Sequence, residues 1–136
     1  IKANDKGLLS RDVTVRELVG HLGDIHHIFP RQLLKNAGLG RTDYNQIANY
    51  AFTQDAINIK IGSKSPHVYL ADVQAQCQGQ ALKLGGIDQL DELHANLAAN
   101  SLPESVLTMT VADYPQFLTE RRALMAAKIK AYYFSL

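Results

Sequence analysis

Residues 24–30, DIHHIFP, constrain this chain more tightly than any other stretch. Isoleucine and phenylalanine favour extended backbone, and Pro30 has no N–H to offer a further hydrogen-bonded neighbour, so the segment reads as a short strand ending in a turn. Side chains alternate along a strand, so the adjacent pair His26 and His27 points to opposite faces and cannot ordinarily serve as two ligands of one ion. The pair therefore suits two tasks, one imidazole binding a metal and the other, near its natural pKa of ~6.5, taking a proton at neutral pH.

The surrounding pattern is mostly helical. Val15, Leu18, Val19 and Leu22 repeat at helical spacing over residues 13–22, and Gly23 stops the run, while residues 1–12 read as polar and irregular. Residues 31–37 suit one or two helical turns ended by Gly38 and Gly40. Thr42 and Asp43 can open a helix through Tyr44, Ile47 and Ala48, after which residues 50–53 read as extended. Asp55 can cap a helix carrying Ile57 to Ile61, closed by Gly62. Ser65 and Pro66 start another, ended by Gly79. Beyond Gly86 the chain reads as helical, with an apolar stripe at Ile87, Leu90, His94 and Leu97. A longer helix after Pro115 is expected to bury Phe117, Leu118, Leu124, Met125, Ile129 and Tyr132, and both stripes are expected to be core. With 136 residues, 46% of them hydrophobic, one domain with its own core is expected. The expected class is α+β, mostly helical, with a small core at about 24–62 and a helical part at about 66–136.

Composition narrows the setting. Cys77 is the only cysteine, which excludes an internal disulfide and a thiolate zinc knuckle and fits a reducing, cytoplasmic compartment. No apolar run approaches the ~20 residues of a membrane span, and the absence of an initiating Met and of a leader leads us to expect a part of a longer protein. The formal net charge is only +1, but it is unevenly spread. Between Arg31 and Lys64 five basic residues face two acidic ones, whereas residues 84–119 carry no Lys or Arg. The first stretch suits phosphates and the second does not.

Phosphodiester hydrolysis needs an activated water, a base to take its proton, and positive charge at the leaving oxygen, which a divalent ion with open coordination positions can supply. A histidine pair followed by Asn49 and, nine residues later, Asn58 on an expected helix offers the parts, since an asparagine carbonyl can complete a metal site as an oxygen ligand.

HHIFP followed by the two asparagines resembles the HNH, or ββα-metal, endonuclease superfamily. More narrowly, DIHHIFPRQLLKNAGL with YNQIANYAFTQDAINIKIGSKSPHVYL is similar to the C-terminal nuclease region of GmrSD-like, modification-dependent restriction proteins, over roughly residues 13–75. The resemblance implies that His26 binds the metal and His27 is the general base. It also implies that Asn49 orients the base or the connecting loop, and that Asn58 is the second metal ligand. It implies a DNA endonuclease acting in defence against foreign or modified duplex DNA, partnered with a nucleotide-hydrolysing domain preceding this region, whose Gln- and Arg-containing signature is absent from these residues. The sequence departs from many relatives in having Asn58 where they have His, and in lacking cysteine pairs, which makes Mg²⁺ or Mn²⁺ the expected ion, with Zn²⁺ or Ni²⁺ still open.

Asp24 shares the strand face of His26 and can accept a hydrogen bond that fixes its tautomer, or stand as an ordinary edge carboxylate. Arg31, Arg41, Lys60 and Lys64 bracket the site and at least one is expected to contact phosphate. His94 and His21 are expected to be packed, and His67 to be structural or exposed. Tyr44 and Tyr50 can stack on bases or serve as packing. Two other readings compete: a DNA-binding module derived from the same ancestor without cleavage, and a structural helical domain with an incidental histidine pair.

Overall fold

The computed structural model describes residues 5–17 and 23–136, with the side chain of Asp24 outside the described set. A one-turn helix α1 (Val15–Glu17) precedes strand β1 (Gly23–His27); the rest of the helix expected over 13–22, with His21, lies outside the described residues. Then follow α2 (Arg31–Asn36), α3 (Arg41–Tyr44), a 3₁₀ turn (Ile47–Asn49), β2 (Tyr50–Gln54) and α4 (Asp55–Ile61). The remainder is α5 (Pro66–Cys77), α6 (Leu90–Ala99), two 3₁₀ turns (Glu104–Thr108 and Val111–Asp113) and α7 (Tyr114–Phe134). The architecture is α+β and mostly helical. No described helix is long and apolar enough to cross a membrane.

The strands form a two-stranded antiparallel sheet in which His26 faces Ala51 and His27 faces Tyr50. Facing residues share a side of the sheet, so the small Ala51 leaves room for one imidazole while the Tyr50 ring flanks the other. Helix α4 starts directly after β2, with Asp55 in its first turn rather than as the cap; the capping position is Gln54. Gly62 ends α4 at φ +57°, a conformation that costs glycine little.

One core cluster runs from Leu8 and Leu9 through Ile28, Phe29, Ile57, Ile61, Tyr69 and Leu97 to Phe117. Residues 5–12 are irregular, as the sequence indicates, but they are not a polar lead-in. Leu8 and Leu9 are buried, the Leu8 N–H donates to the Phe52 carbonyl (2.8 Å), and the Thr53 hydroxyl donates to the Leu8 carbonyl (2.7 Å). Two leucines in eight residues gave too little periodicity to register.

Three buried carboxamides clamp loops to this core. Asn96 accepts from the Leu9 N–H (2.7 Å) and donates to the Gly7 carbonyl (3.0 Å), holding Leu9 at φ +59°. Gln76 accepts from the N–H groups of Lys83 and Leu84 and donates to the carbonyls of Leu84 and Ile87. Asn49 is the third. Each pairs main-chain groups that a core loop would otherwise leave unsatisfied.

The C-terminal stripes differ from expectation. On α6 the buried residues are Leu93, Asn96 and Leu97, while Leu90 is exposed and His94 is half-buried, its Nδ1 2.6 Å from Glu104 Oε1 rather than packed in the core. On α7 only Tyr114, Phe117 and Arg121 are buried; Ile129 is 63% exposed and Tyr132 56%. Helical spacing marks which residues share a face, but whether anything covers that face depends on the rest of the chain.

Candidate active site

The ββα unit brings three of the four key side chains to one place. His26, on β1, is buried at 2% exposure. Its Nδ1 lies 2.7 Å from Asn58 Oδ1 on α4, and its ring meets Tyr69 edge-on with centroids 6.2 Å apart. Tyr69 is itself tied down, donating its hydroxyl to the Ile28 carbonyl (2.7 Å). Burial lowers the His26 pKa to about 4, against a smaller opposing effect of the Asn58 hydrogen bond, so the ring is neutral at pH 7.

His27 leaves the opposite face of β1, as strand alternation requires. It is half-buried, with the Tyr50 ring 5.0 Å away at 79° and the Tyr44 ring at 6.2 Å, and its Nε2 is 3.0 Å from Asn45 Oδ1. The two imidazoles diverge, yet both line one cavity of about 310 Å³, together with Asn58, Arg31, Pro30 and Gly62. Arg31 is the first residue of α2, immediately after the proline that ends the strand segment. Arg41, Lys60 and Lys64 are exposed and do not line this cavity; Lys64 turns its ammonium towards the Lys60 carbonyl. Asp24 pairs with Thr53 through the backbone, and its side chain lies outside the described residues. His67 is exposed, with Nδ1 2.7 Å from Ser65 Oγ.

Asn49 is fully buried and acts on the backbone. It accepts from the Phe29 N–H (2.8 Å) and donates to the carbonyls of Phe29 (3.1 Å) and Tyr44 (3.2 Å), while its own carbonyl accepts from the Ile28 N–H (2.8 Å). It thereby locks the exit of β1 to the turn that precedes β2. Arg121 of α7 braces the same turn from behind. This buried guanidinium donates to the carbonyls of Ala48 and Tyr50, which flank Asn49, and to that of Asn100. Burial lowers its pKa to about 10, leaving it charged. Neither Asn45 nor Arg121 is marked by any sequence motif, because both act through contacts between distant elements.

The His26–Asn58 pair suits a divalent ion. Two donors at right angles around a six-coordinate ion, each about 2.1 Å from it, stand about 3 Å apart, close to the separation observed. A neutral imidazole and an amide oxygen need no deprotonation. Asn58 Oδ1 can only accept, so the observed contact puts the ring proton on Nδ1; ligation through Nδ1 would move it to Nε2, a buried atom with no hydrogen-bond partner among the described residues. No group of three or more His, Cys, Asp or Glu side chains set to hold a metal occurs among the described residues, so an ion here would keep most of its coordination sphere for water and substrate. Comparison with protein-family models, with curated proteins and with solved structures gives no match.

Proposed function

We propose that this chain is a metal-dependent endonuclease domain of HNH type that hydrolyses phosphodiester bonds in DNA. The observation that carries the reading is the convergence of His26 Nδ1 and Asn58 Oδ1 to 2.7 Å at a cavity that His27 and Arg31 also line. His26 and Asn58 hold one divalent ion, Mg²⁺ or Mn²⁺, the imidazole donor favouring Mn²⁺ of the two. When bound, the ion supplies positive charge against the scissile phosphate and its leaving oxygen. His27 takes the proton of the water that attacks phosphorus. The Arg31 guanidinium meets a phosphate oxygen and holds the strand in register. Asn49 keeps the segment bearing His27 in place.

The substrate is duplex DNA, modified or foreign, and the domain works as the cutting part of a cytoplasmic restriction protein whose nucleotide-hydrolysing domain precedes it. Plasmid nicking by the purified chain in Mg²⁺ or Mn²⁺, abolished by His27→Ala with the fold retained, tests this. Unchanged nicking by the variant would remove His27 from the mechanism. One observation favours a second reading, a non-cleaving DNA-binding module: His26 and Asn58 already satisfy each other as a hydrogen-bonded pair. Salt-sensitive DNA binding without nicking in any divalent ion would select it.

A further inference from the structure

A general base must present an unprotonated nitrogen to the water, so one of its two ring nitrogens must be assigned the proton by a neighbour. The Asn45 side-chain oxygen lies 3.0 Å from Nε2 of His27, and an amide oxygen can only accept. Nε2 therefore carries the hydrogen and Nδ1 the lone pair. The ring's remaining freedom is limited by Tyr50 and Tyr44.

Asn45 is itself held. It ends α3, its N–H donating to the Arg41 carbonyl (2.9 Å), and the carbonyl of the preceding Tyr44 accepts from buried Asn49. One carboxamide, Asn49, thus fixes both the strand exit beyond His27 and the residue that touches its ring. We propose that Asn45 is a positioning residue of the site, accepting a hydrogen bond from Nε2–H of His27 and so making Nδ1 the basic nitrogen. The inference rests on the reading of His27 as the base; Asn49 supports the arrangement at one remove and Asn45 directly.

The test compares Asn45→Leu, which keeps the branched shape but loses the acceptor, with Asn45→Asp, which keeps an acceptor oxygen at the same place. Ring-nitrogen NMR shifts of His27 at pH 8, without DNA, should show a protonated Nε2 and a bare Nδ1 in the wild type and in Asn45→Asp, and an averaged pair in Asn45→Leu. In plasmid nicking Asn45→Leu should lower kcat on the order of tenfold with KM held within about twofold, and Asn45→Asp should recover most of the loss. Urea midpoints serve as the folding control, since the Asn45 side chain is exposed. Asn45→Leu with unaltered ring shifts, or Asn45→Asp without recovery, overturns the proposal. If His27→Ala nicks like the wild type, it is the reading of His27 as the base that falls, and the ring shifts still decide the contact.

Discussion

Lowering the pH should unfold this protein through His26. An ordinary imidazole titrates near 6.5, whereas burial brings His26 to about 4. Between these values the unfolded chain binds a proton that the folded chain excludes, so stability rises with pH across the window. The contribution is complete above about pH 6.5 and is lost as the pH falls towards 4. At about 1.4 kcal/mol per pH unit the full gap amounts to about 3 kcal/mol, and at pH 4.5 most of it should already be gone. The comparison is His26→Asn, which does not titrate and places an amide nitrogen where Nδ1 meets Asn58. Urea denaturation followed by far-UV circular dichroism, with chelator present, gives the stability of both proteins at pH 4.5 and 7.5. The wild type should lose about 2 to 3 kcal/mol more than the variant over that interval, a sizeable part of a small domain's stability. Equal losses would show that the His26 ring meets solvent or a charge partner in the folded state, and would refute the burial argument.

Other perturbations follow from the same geometry. Asn49→Ala removes a clamp from one buried N–H and two carbonyls and should lower the free energy of urea unfolding by roughly 3 kcal/mol, with or without metal. Asn58→Ala should abolish Mn²⁺ binding measured by calorimetry while sparing DNA binding through Arg31; Mn²⁺ affinity equal to wild type would disqualify Asn58 as a ligand. Gly85→Ala adds a methyl group against the Leu9 carbonyl at a backbone φ of +69°, and should destabilise by more than about 1 kcal/mol in thermal melts. Ile129→Lys, on the exposed part of α7, should leave stability within about 0.5 kcal/mol.

What could be read in advance tracks how local its cause is. Strand β1, the turn at Pro30, helix α4 and its end at Gly62 are dictated by neighbours in sequence, and alternation alone sends His26 and His27 to different faces. The His26–Asn58 contact follows only once strand and helix pack, and it was the resemblance to the HNH pattern, not the spacing by itself, that implied the two residues meet. Arg121 and Asn45 were illegible, since a buried arginine bonded to carbonyls 21 to 73 residues away leaves no pattern around itself. The α7 stripe misled for the converse reason: apolar spacing persists into a segment the core does not reach.

The attachment of Leu8 to β2 has a mechanical side. Its N–H and carbonyl are bonded to Phe52 and Thr53, on the strand paired with the one carrying both histidines, so tension applied at residues 5–8 is borne by the site-bearing sheet rather than by a slack lead-in. The same residues are also tied to α6 and α7, through the Asn96 and Asn100 carboxamides on the carbonyls of Gly7 and Lys6 and through the Lys128–Asp5 ion pair, so a pull there loads the sheet and both helices together. Force spectroscopy from that end should therefore register one cooperative rupture that takes the site with it, with no earlier release of a slack segment.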